Sequence, residues 1–423
     1  MAILVRSANL ADWLAWRALR LRALADSPDA FGETLAQAQA HDDAAWQAFV
    51  APGPDRERLL AVLDGEPVGM CVIVLADDRR KANLFAMWVT PEARARGTGT
   101  RLVEAALRWA RSLAALEVTL RVSDTQPAAR RLYERCGFRD TGEHSPLRPG
   151  SAAHCVRMTA HLPPLIMGVL NVTPDSFTDG GAYLDPAAAV RHAEQLVADG
   201  ADILDIGGEA TNPRARPVST DEELRRVLPV LERLAGLGVA LSIDTTKAAV
   251  ARAAVAAGAS IINDVSAGLF DREMAGVVAE LPGVTYVAGH LRGRSLPEVF
   301  AAEGSVSWQT VASELTARLA ELAPARAWID PGIGFGKGGD PEGNVALLRH
   351  AGDIAATIGR PIVVGPSRKR FLRRLVGVQD PSIDVLDAAS VLASVAAVRA
   401  GAQVVRVHNV TLLRTQLSAY NKE

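Results

Sequence analysis

A chain of 423 residues is too long for one ordinary domain and argues for two or three. Apolar residues make up 49% and aromatics only 5%, and a formal charge of −2 gives no general attraction for nucleic acid or an anionic membrane. No apolar run reaches the roughly 18–20 residues of a membrane-spanning helix, and the N-terminus MAILVRSANLADW lacks the apolar core of a signal peptide. Cys71, Cys136 and Cys155 are odd in number, widely spaced and without a C-x-x-C pair, so neither a disulfide framework nor a zinc site is indicated and the chain reads as cytoplasmic.

In chain order, Asn9 is placed to cap a helix carrying Trp13, Trp16 and Leu19. Residues 58–64, 67–75 and 83–89 read as strands, the first two joined by Gly65-Glu66. A loop bearing Arg94, Gly97 and Gly99, in the pattern R-x-x-G-x-G, then opens an amphipathic helix over 98–112. Strands at 117–122 and 154–160, with a helix at 127–136 between them, complete a unit that ends near Leu162. Glycines let the backbone approach an anion closely, and a helix N-terminus offers it free N–H groups. By itself a G-x-G is a tight turn as readily as a phosphate site. Beside it stands A-x-x-L-Y-x-x-x-G-F, from Ala129 to Phe138. With both motifs, residues 1–162 resemble the GNAT-type N-acetyltransferases, which have a mixed α+β fold. The resemblance implies that Arg94, Gly97 and Gly99 hold the diphosphate of acetyl-CoA and that the backbone near Val89 holds its pantetheine. It also implies that Tyr133 protonates the departing thiolate; the plain alternative for Tyr133 is a core aromatic. Gln126 stands where that family commonly has Asn, and a non-enzymatic appendage is the competing reading of the whole unit.

From Pro164 to Glu423 the chain is built differently. Eight apolar runs, at 166–171, 202–207, 239–244, 260–264, 284–290, 326–330, 361–365 and 403–408, alternate with Ala-rich helical stretches such as 186–199, 221–235 and 342–358. The second of those helices is announced by a capping box, Ser219-x-x-Glu222. Such alternation, over about the 250 residues such a fold needs, predicts a (β/α)8 TIM barrel. Polar residues at the C-terminal ends of barrel strands form active sites. Here they are Asn171, Glu209 with Thr211, Asp244, Asn263, His290, Asp330, Lys369, Arg406 and His408. One Asp at a strand end usually caps the next helix, and one His in a strand is usually a satisfied core group. Eight strands ending alike gather charges around one cavity, which is costly unless a ligand or the charges themselves answer them. Arg406 and His408 share a face and, with Ser367 to Arg370, suit a diphosphate. Asn171 and the loop carrying Asp175 suit Mg²⁺ bridging it. Asp244, Asn263 and Asp330 form an acceptor cluster that suits a flat heterocycle presenting N–H donors.

The motifs GVLNVTPDSFTDGG (168–181), GGEATNP (207–213), SIDT (242–245), IND (262–264), DPGIGFGK (330–337), SRKRF (367–371) and RVHNV (406–410) closely resemble those of dihydropteroate synthases. The resemblance implies condensation of (7,8-dihydropterin-6-yl)methyl diphosphate with 4-aminobenzoate, in a chain pairing as a homodimer through the barrel. It assigns the pterin to Asp244, Asn263, Asp330 and Lys369, with Asp244, Asp330 and Lys369 catalytic. The diphosphate falls to Asn171, Arg406 and His408, with Mg²⁺ on Asn171. The aminobenzoate falls to Thr211, Asn212, Pro213, Ser367 and Arg370. Two departures bear on that last pocket: Asn212 replaces the usual Arg, and Gly338 to Asn344 replace the usual T-x-x-H-N. Competing readings are a pterin-dependent methyltransferase, which needs no diphosphate cradle, and a non-catalytic pterin-binding paralogue.

Overall fold

The structure is a computed structural model that describes residues 3–173, 186–211, 217–301, 304–337 and 341–420. The chain divides into two compact units, Met1–Pro163 and Pro164–Glu423.

The first unit is a seven-stranded sheet: β1 (Ile3–Ser7), β2 (Arg56–Leu63), β3 (Glu66–Leu75), β4 (Lys81–Val89), β5 (Glu117–Ser123), β6 (Arg139–Pro146) and β7 (His154–His161), in the order β1-β2-β3-β4-β5-β7-β6. Every pairing is antiparallel except β4 with β5. That pair runs only from Lys81↔Glu117 to Leu84↔Leu120. Beyond it β4 takes an irregular step, with Ala86 at φ 50 and a register shift against β3, so the two strands part. The helix Thr98–Ser112 buries Leu102, Val103, Ala106 and Ala110 against one face of the sheet, as its 3.6-residue spacing dictates.

Five features of this unit differ from the sequence expectation. Asn9 does cap, but it caps a 3-10 turn, Leu10–Asp12, and the α-helix begins at Trp13. The strand Ile3–Ser7 and the short helices Leu35–Gln39 and Asp43–Val50 were not anticipated. Neither was β6, whose sequence RDTGEHSP is almost wholly exposed. An edge strand held by pairing alone carries no hydrophobic alternation to be read.

The second unit is an eight-stranded parallel sheet made of β8 (Leu165–Asn171), β9 (Ile203–Gly207), β10 (Ala240–Asp244), β11 (Ile261–Asp264), β12 (Thr285–Gly289), β13 (Arg326–Asp330), β14 (Val363–Val364) and β15 (Val404–Val407). The run β13-β12-β11-β10-β9-β8-β15-β14 is brought round by an Ile329↔Ile362 bridge and the bond from Ile329 N–H to the Pro361 carbonyl, 2.9 Å. Pro361, two residues before the short β14, has no N–H to give to the ladder. Alternate strand residues, among them Leu204, Ile206, Leu241, Ile243, Ile262 and Val405, pack outward against the helices in one core. Their neighbours Asp205, Asp244, Asn263 and Arg406 therefore face the barrel interior. Ser219 caps the helix Thr220–Leu234 through the Glu222 N–H, but Glu222 turns to Arg226 instead of closing the box. The helix expected over 342–358 breaks at His350 into Pro341–Arg349 and Ala351–Ile358.

Candidate active site

The barrel interior is organised around Arg406 on β15. Its Nε donates to Asp205 Oδ2 at 2.5 Å and its Nη2 to Asp244 Oδ2 at 2.7 Å. Asn263 donates from Nδ2 to the same Asp205 oxygen at 3.0 Å. Asp205 and Asn263 are buried at the floor, while Asp244, Asp330, Asn171 and Arg406 are half-buried above them. Asp205 Oδ1 is buried with no hydrogen-bond partner among the described residues. Burial works against the charge on Arg406, but Asp205 and Asp244 outweigh it and hold the guanidinium above its ordinary range. Burial also pushes the Asp244 carboxyl up to about 7, against the pull of Arg406. Asp330 is raised too, by burial, against a hydrogen bond from the Gly332 N–H at 2.7 Å. A Cβ on Gly207 would stand 3.7 Å from Asn171 Oδ1 and 3.9 Å from Asp244 Oδ2, so bare backbone there keeps the mouth open between them.

Lys369 follows β14 and lies over the Phe335 ring, 4.3 Å from its centre. Burial lowers its ammonium to about 8, with Arg406 adding repulsion and Asp330 and Asp244 opposing. The loop that carries it is pinned by Arg368, at φ 58, whose guanidinium grips Asp387 at 2.7 and 3.0 Å. Ser367, expected at the aminobenzoate, is buried and hydrogen-bonded to His408 Nδ1 at 2.9 Å. Burial, then Arg368 and Arg406, hold the His408 imidazole well below its ordinary range and keep it neutral. Arg370 is exposed and stands over the Phe300 ring at 5.8 Å. Thr211 is half-buried at the end of its described stretch; Asn212, Pro213 and Asp175 lie outside the described residues.

His290 does not join this group. It falls one residue after β12, where the period-two alternation turns it outward, and its Nε2 meets Glu314 at 2.7 Å on the helix Trp308–Leu322. Glu209 is likewise held at the rim by Lys247, which also pairs with buried Glu223 at 2.5 Å. Sequence reading missed Asp205, which sits mid-strand between Leu204 and Ile206. It also missed Lys337, buried and bonded to the carbonyls of His290 and Phe335 at 3.0 and 3.1 Å. Lys337 closes the motif DPGIGFGK, and that was the available signal.

Among the described residues no three His, Cys, Asp or Glu side chains are arranged to hold a metal. Asn171 offers one side-chain oxygen, which fits Mg²⁺ only as such ions sit with substrate phosphates, taking most of their ligands from phosphate and water.

In the first unit Gly97, at φ 81, is the left-handed N-cap of the helix Thr98–Ser112, with Gly99 in its first turn. Arg94 is already engaged, its Nε on the Val89 carbonyl at 3.0 Å and its Nη2 on Asp26. Tyr133 is buried against Phe138 and lines a cleft of ≈ 630 Å³ that also touches Met87 on β4. Burial holds its phenol far above the ordinary range, so it keeps its proton.

Residues 167–408 match the family model of pterin binding enzymes, and residues 17–138 match that of the acetyltransferase (GNAT) family. The chain is 44% identical over 260 residues to the dihydropteroate synthase of Mycobacterium leprae, spanning 59% of this chain and 89% of that protein. It is similar to the solved dihydropteroate synthase of Xanthomonas albilineans with 4-aminobenzoic acid, at 40% identity and TM-score 0.55, covering 62% of this chain and 93% of that one. It is also similar to that of Burkholderia cenocepacia complexed with 7,8-dihydropteroate, at 39% identity and TM-score 0.53, covering 63% and 93%.

Proposed function

The chain belongs to the dihydropteroate synthase family, and from that premise we propose how its residues divide the work. The barrel serves folate biosynthesis, joining (7,8-dihydropterin-6-yl)methyl diphosphate to 4-aminobenzoate with release of diphosphate. The observation that carries the assignment of residues is the Arg406 network, with one Asp205 oxygen left unanswered beneath a half-open mouth. Asp205, Asp244, Asn263 and Asp330 accept from the N–H edge of the pterin, and Lys369 donates to its acceptors. Departure of diphosphate leaves positive charge on the pterin methylene, which the mouth carboxylates stabilise until the aminobenzoate nitrogen attacks. Among the described residues Arg406 Nη1 has no carboxylate partner, and with the loop 367–371 it faces the leaving group. Neutral His408, fixed by Ser367, contributes a hydrogen bond there and no charge. Mg²⁺ held through Asn171, when bound, offsets the charge of the leaving diphosphate.

The test is diphosphate release by the purified protein with and without Mg²⁺. Lys369→Ala and Asp330→Asn should each lose about 2–5 kcal/mol of transition-state stabilisation, the cost of removing a partner from a buried charged site. Wild-type turnover in either variant would overturn the assignment.

The first unit transfers acetyl from acetyl-CoA to an amine, with Gly97 and Gly99 admitting the diphosphate to the helix N-terminus and Tyr133 supplying the proton to sulfur. The parting of β4 from β5 supports this, since it leaves free strand edge beside that helix. The three cysteines are free, which supports a cytoplasmic setting. A homodimer is supported by Leu375, Val378, Ile383, Val385 and Leu392, all exposed on or beside two adjacent barrel helices, Arg370–Val376 and Ile383–Arg399.

A further inference from the structure

We propose that the acetyl acceptor of the first unit is an arylamine carrying an acidic group, bound in the cleft beside Tyr133; this rests on the acetyltransferase reading above. The cleft lies between the helical segment before β2 and the strand β4. Its wall is aromatic, with Trp16, Phe31, Trp46, Phe49 and Phe85. Phe49 and Phe85 remain 42% and 53% exposed, an uncommon amount of ring left to water on one wall. Such a wall suits a flat ring.

The charges on the wall select the rest of the acceptor. Those of fixed sign are Arg20, Glu33 and Arg121. Glu33 is the one carboxylate lining the cleft among the described residues, and both its oxygens are taken. Oε2 accepts from Arg20 Nε and Nη2 at 3.0 and 2.8 Å, and Oε1 meets His41 at 3.1 Å. Arg121 has no carboxylate partner among the described residues; its Nη2 donates to the Pro146 carbonyl at 2.5 Å. Three buried N–H groups of the wall, Trp16 Nε1, Trp46 Nε1 and Arg20 Nη1, also lack acceptors. The wall is thus rich in donors, positive by one charge, and without a free carboxylate.

An alkylamine is an ammonium ion at neutral pH, of pKa about 10.4 in the case of lysine, and must lose a proton before it can attack. It needs an anionic wall and a free base, and this cleft has neither. An arylamine nitrogen shares its lone pair with the ring, stays neutral at pH 7 and needs no prior deprotonation. Its acidic substituent meets Arg121. In the reaction the nitrogen bonds to the acetyl carbonyl carbon and the carbon–sulfur bond breaks. Sulfur leaves with the electron pair and takes the Tyr133 proton; the new amide nitrogen loses a proton to solvent, and Tyr133 regains one from solvent. The products are the N-acetylarylamine and the free thiol of CoA. The simplest such acceptor, 4-aminobenzoate, is also the second substrate of the barrel, so both units would draw on one pool.

The experiment follows thiol release by the full chain with acetyl-CoA and 4-aminobenzoate, aniline or benzylamine, alongside titration of acetyl-CoA alone. We expect kcat/KM to be highest for 4-aminobenzoate, by about tenfold over aniline, with benzylamine last. Arg121→Gln should raise KM for 4-aminobenzoate about tenfold with kcat and aniline turnover unchanged, and Arg121→Lys should restore most of it. Preference for benzylamine overturns the proposal, as does acetyl-CoA binding with no arylamine acetylated. Equal loss toward both arylamines in Arg121→Gln overturns the role of the acidic group. Failure to bind acetyl-CoA removes the acetyltransferase reading itself and this proposal with it.

Discussion

Asp205 holds one end of the Arg406 guanidinium and the amide of Asn263 with a single oxygen. Asp205→Ala therefore strips the half-buried Arg406 cation of one of two counter-charges and leaves the buried Asn263 amide without that partner. It should cost about 1–3 kcal/mol of unfolding free energy in urea and lower kcat/KM for the pterin diphosphate by about tenfold or more. A variant of native stability and activity would mean that Asp244 alone suffices for Arg406. Lys369 makes a second, pH-dependent prediction. Its ammonium, brought down to about 8 by burial, is charged below that pH and neutral above it. Turnover by the barrel should therefore decline as pH rises through about 8. Lys369→Arg, which stays charged to about pH 12, should lower the plateau and abolish the decline, as a kcat/KM profile will reveal.

Between elements, the pairing of His290 after β12 with Glu314 on the helix Trp308–Leu322 is a seam of the barrel, outside its chemistry. Burial, with Lys337 adding repulsion, lowers the His290 imidazole to about 4, while Glu314 works against it. Between pH 4 and the unfolded value of about 6.5, the folded chain thus binds fewer protons here than the unfolded one. Unfolding free energy should rise with pH across that window, and acidification should remove up to roughly 3 kcal/mol. Glu314, lowered chiefly by its hydrogen bond from Arg292, loses its contribution in the same direction as pH falls. His290→Gln does not titrate, so denaturant unfolding at a series of pH values should show most of this slope gone. An unchanged slope would locate the acid sensitivity elsewhere. The Arg368–Asp387 grip is a comparable seam between the loop 367–371 and the helix Ile383–Arg399. It ties the position of Lys369 to the helix Ile383–Arg399.

At the scale of the whole chain, each unit has its own apolar packing, on both faces of the sheet in the first and between barrel and helices in the second, so each activity has its own support. Gly97→Val forces a branched side chain into φ 81 and should abolish acetyl-CoA binding by titration while leaving dihydropteroate formation intact. Lys369→Ala should do the reverse. Loss of both activities from either change would mean that the units are coupled. The exposed apolar residues of the barrel helices make a further prediction. On the proposed dimer Leu392, 68% exposed in the single chain, should be covered, so the wild type should sediment as a dimer and Leu392→Asp as a monomer.

Periodicity carries fold information because each side chain must find the correct face. Strand–helix alternation from Pro164 onward was legible for that reason, and so were Asp244, Asn263, Asp330 and Arg406 as inward-facing strand ends. The same rule, applied one residue past the end of β12, is what sends His290 outward. Partners across the barrel were not legible. Arg406 meets Asp205 across 201 positions of sequence, and only the closing of eight strands into one sheet brings them together. Ser367 could be placed near the mouth by its motif, but its turn toward His408 depends on how the Arg368 loop is held. In the first unit the glycine loop and Tyr133 stood out by local spacing. The neutralised Glu33, an Arg121 without a carboxylate partner among the described residues, and the occupied Arg94 did not, because charge balance in a cleft is a sum over residues that only tertiary structure assembles.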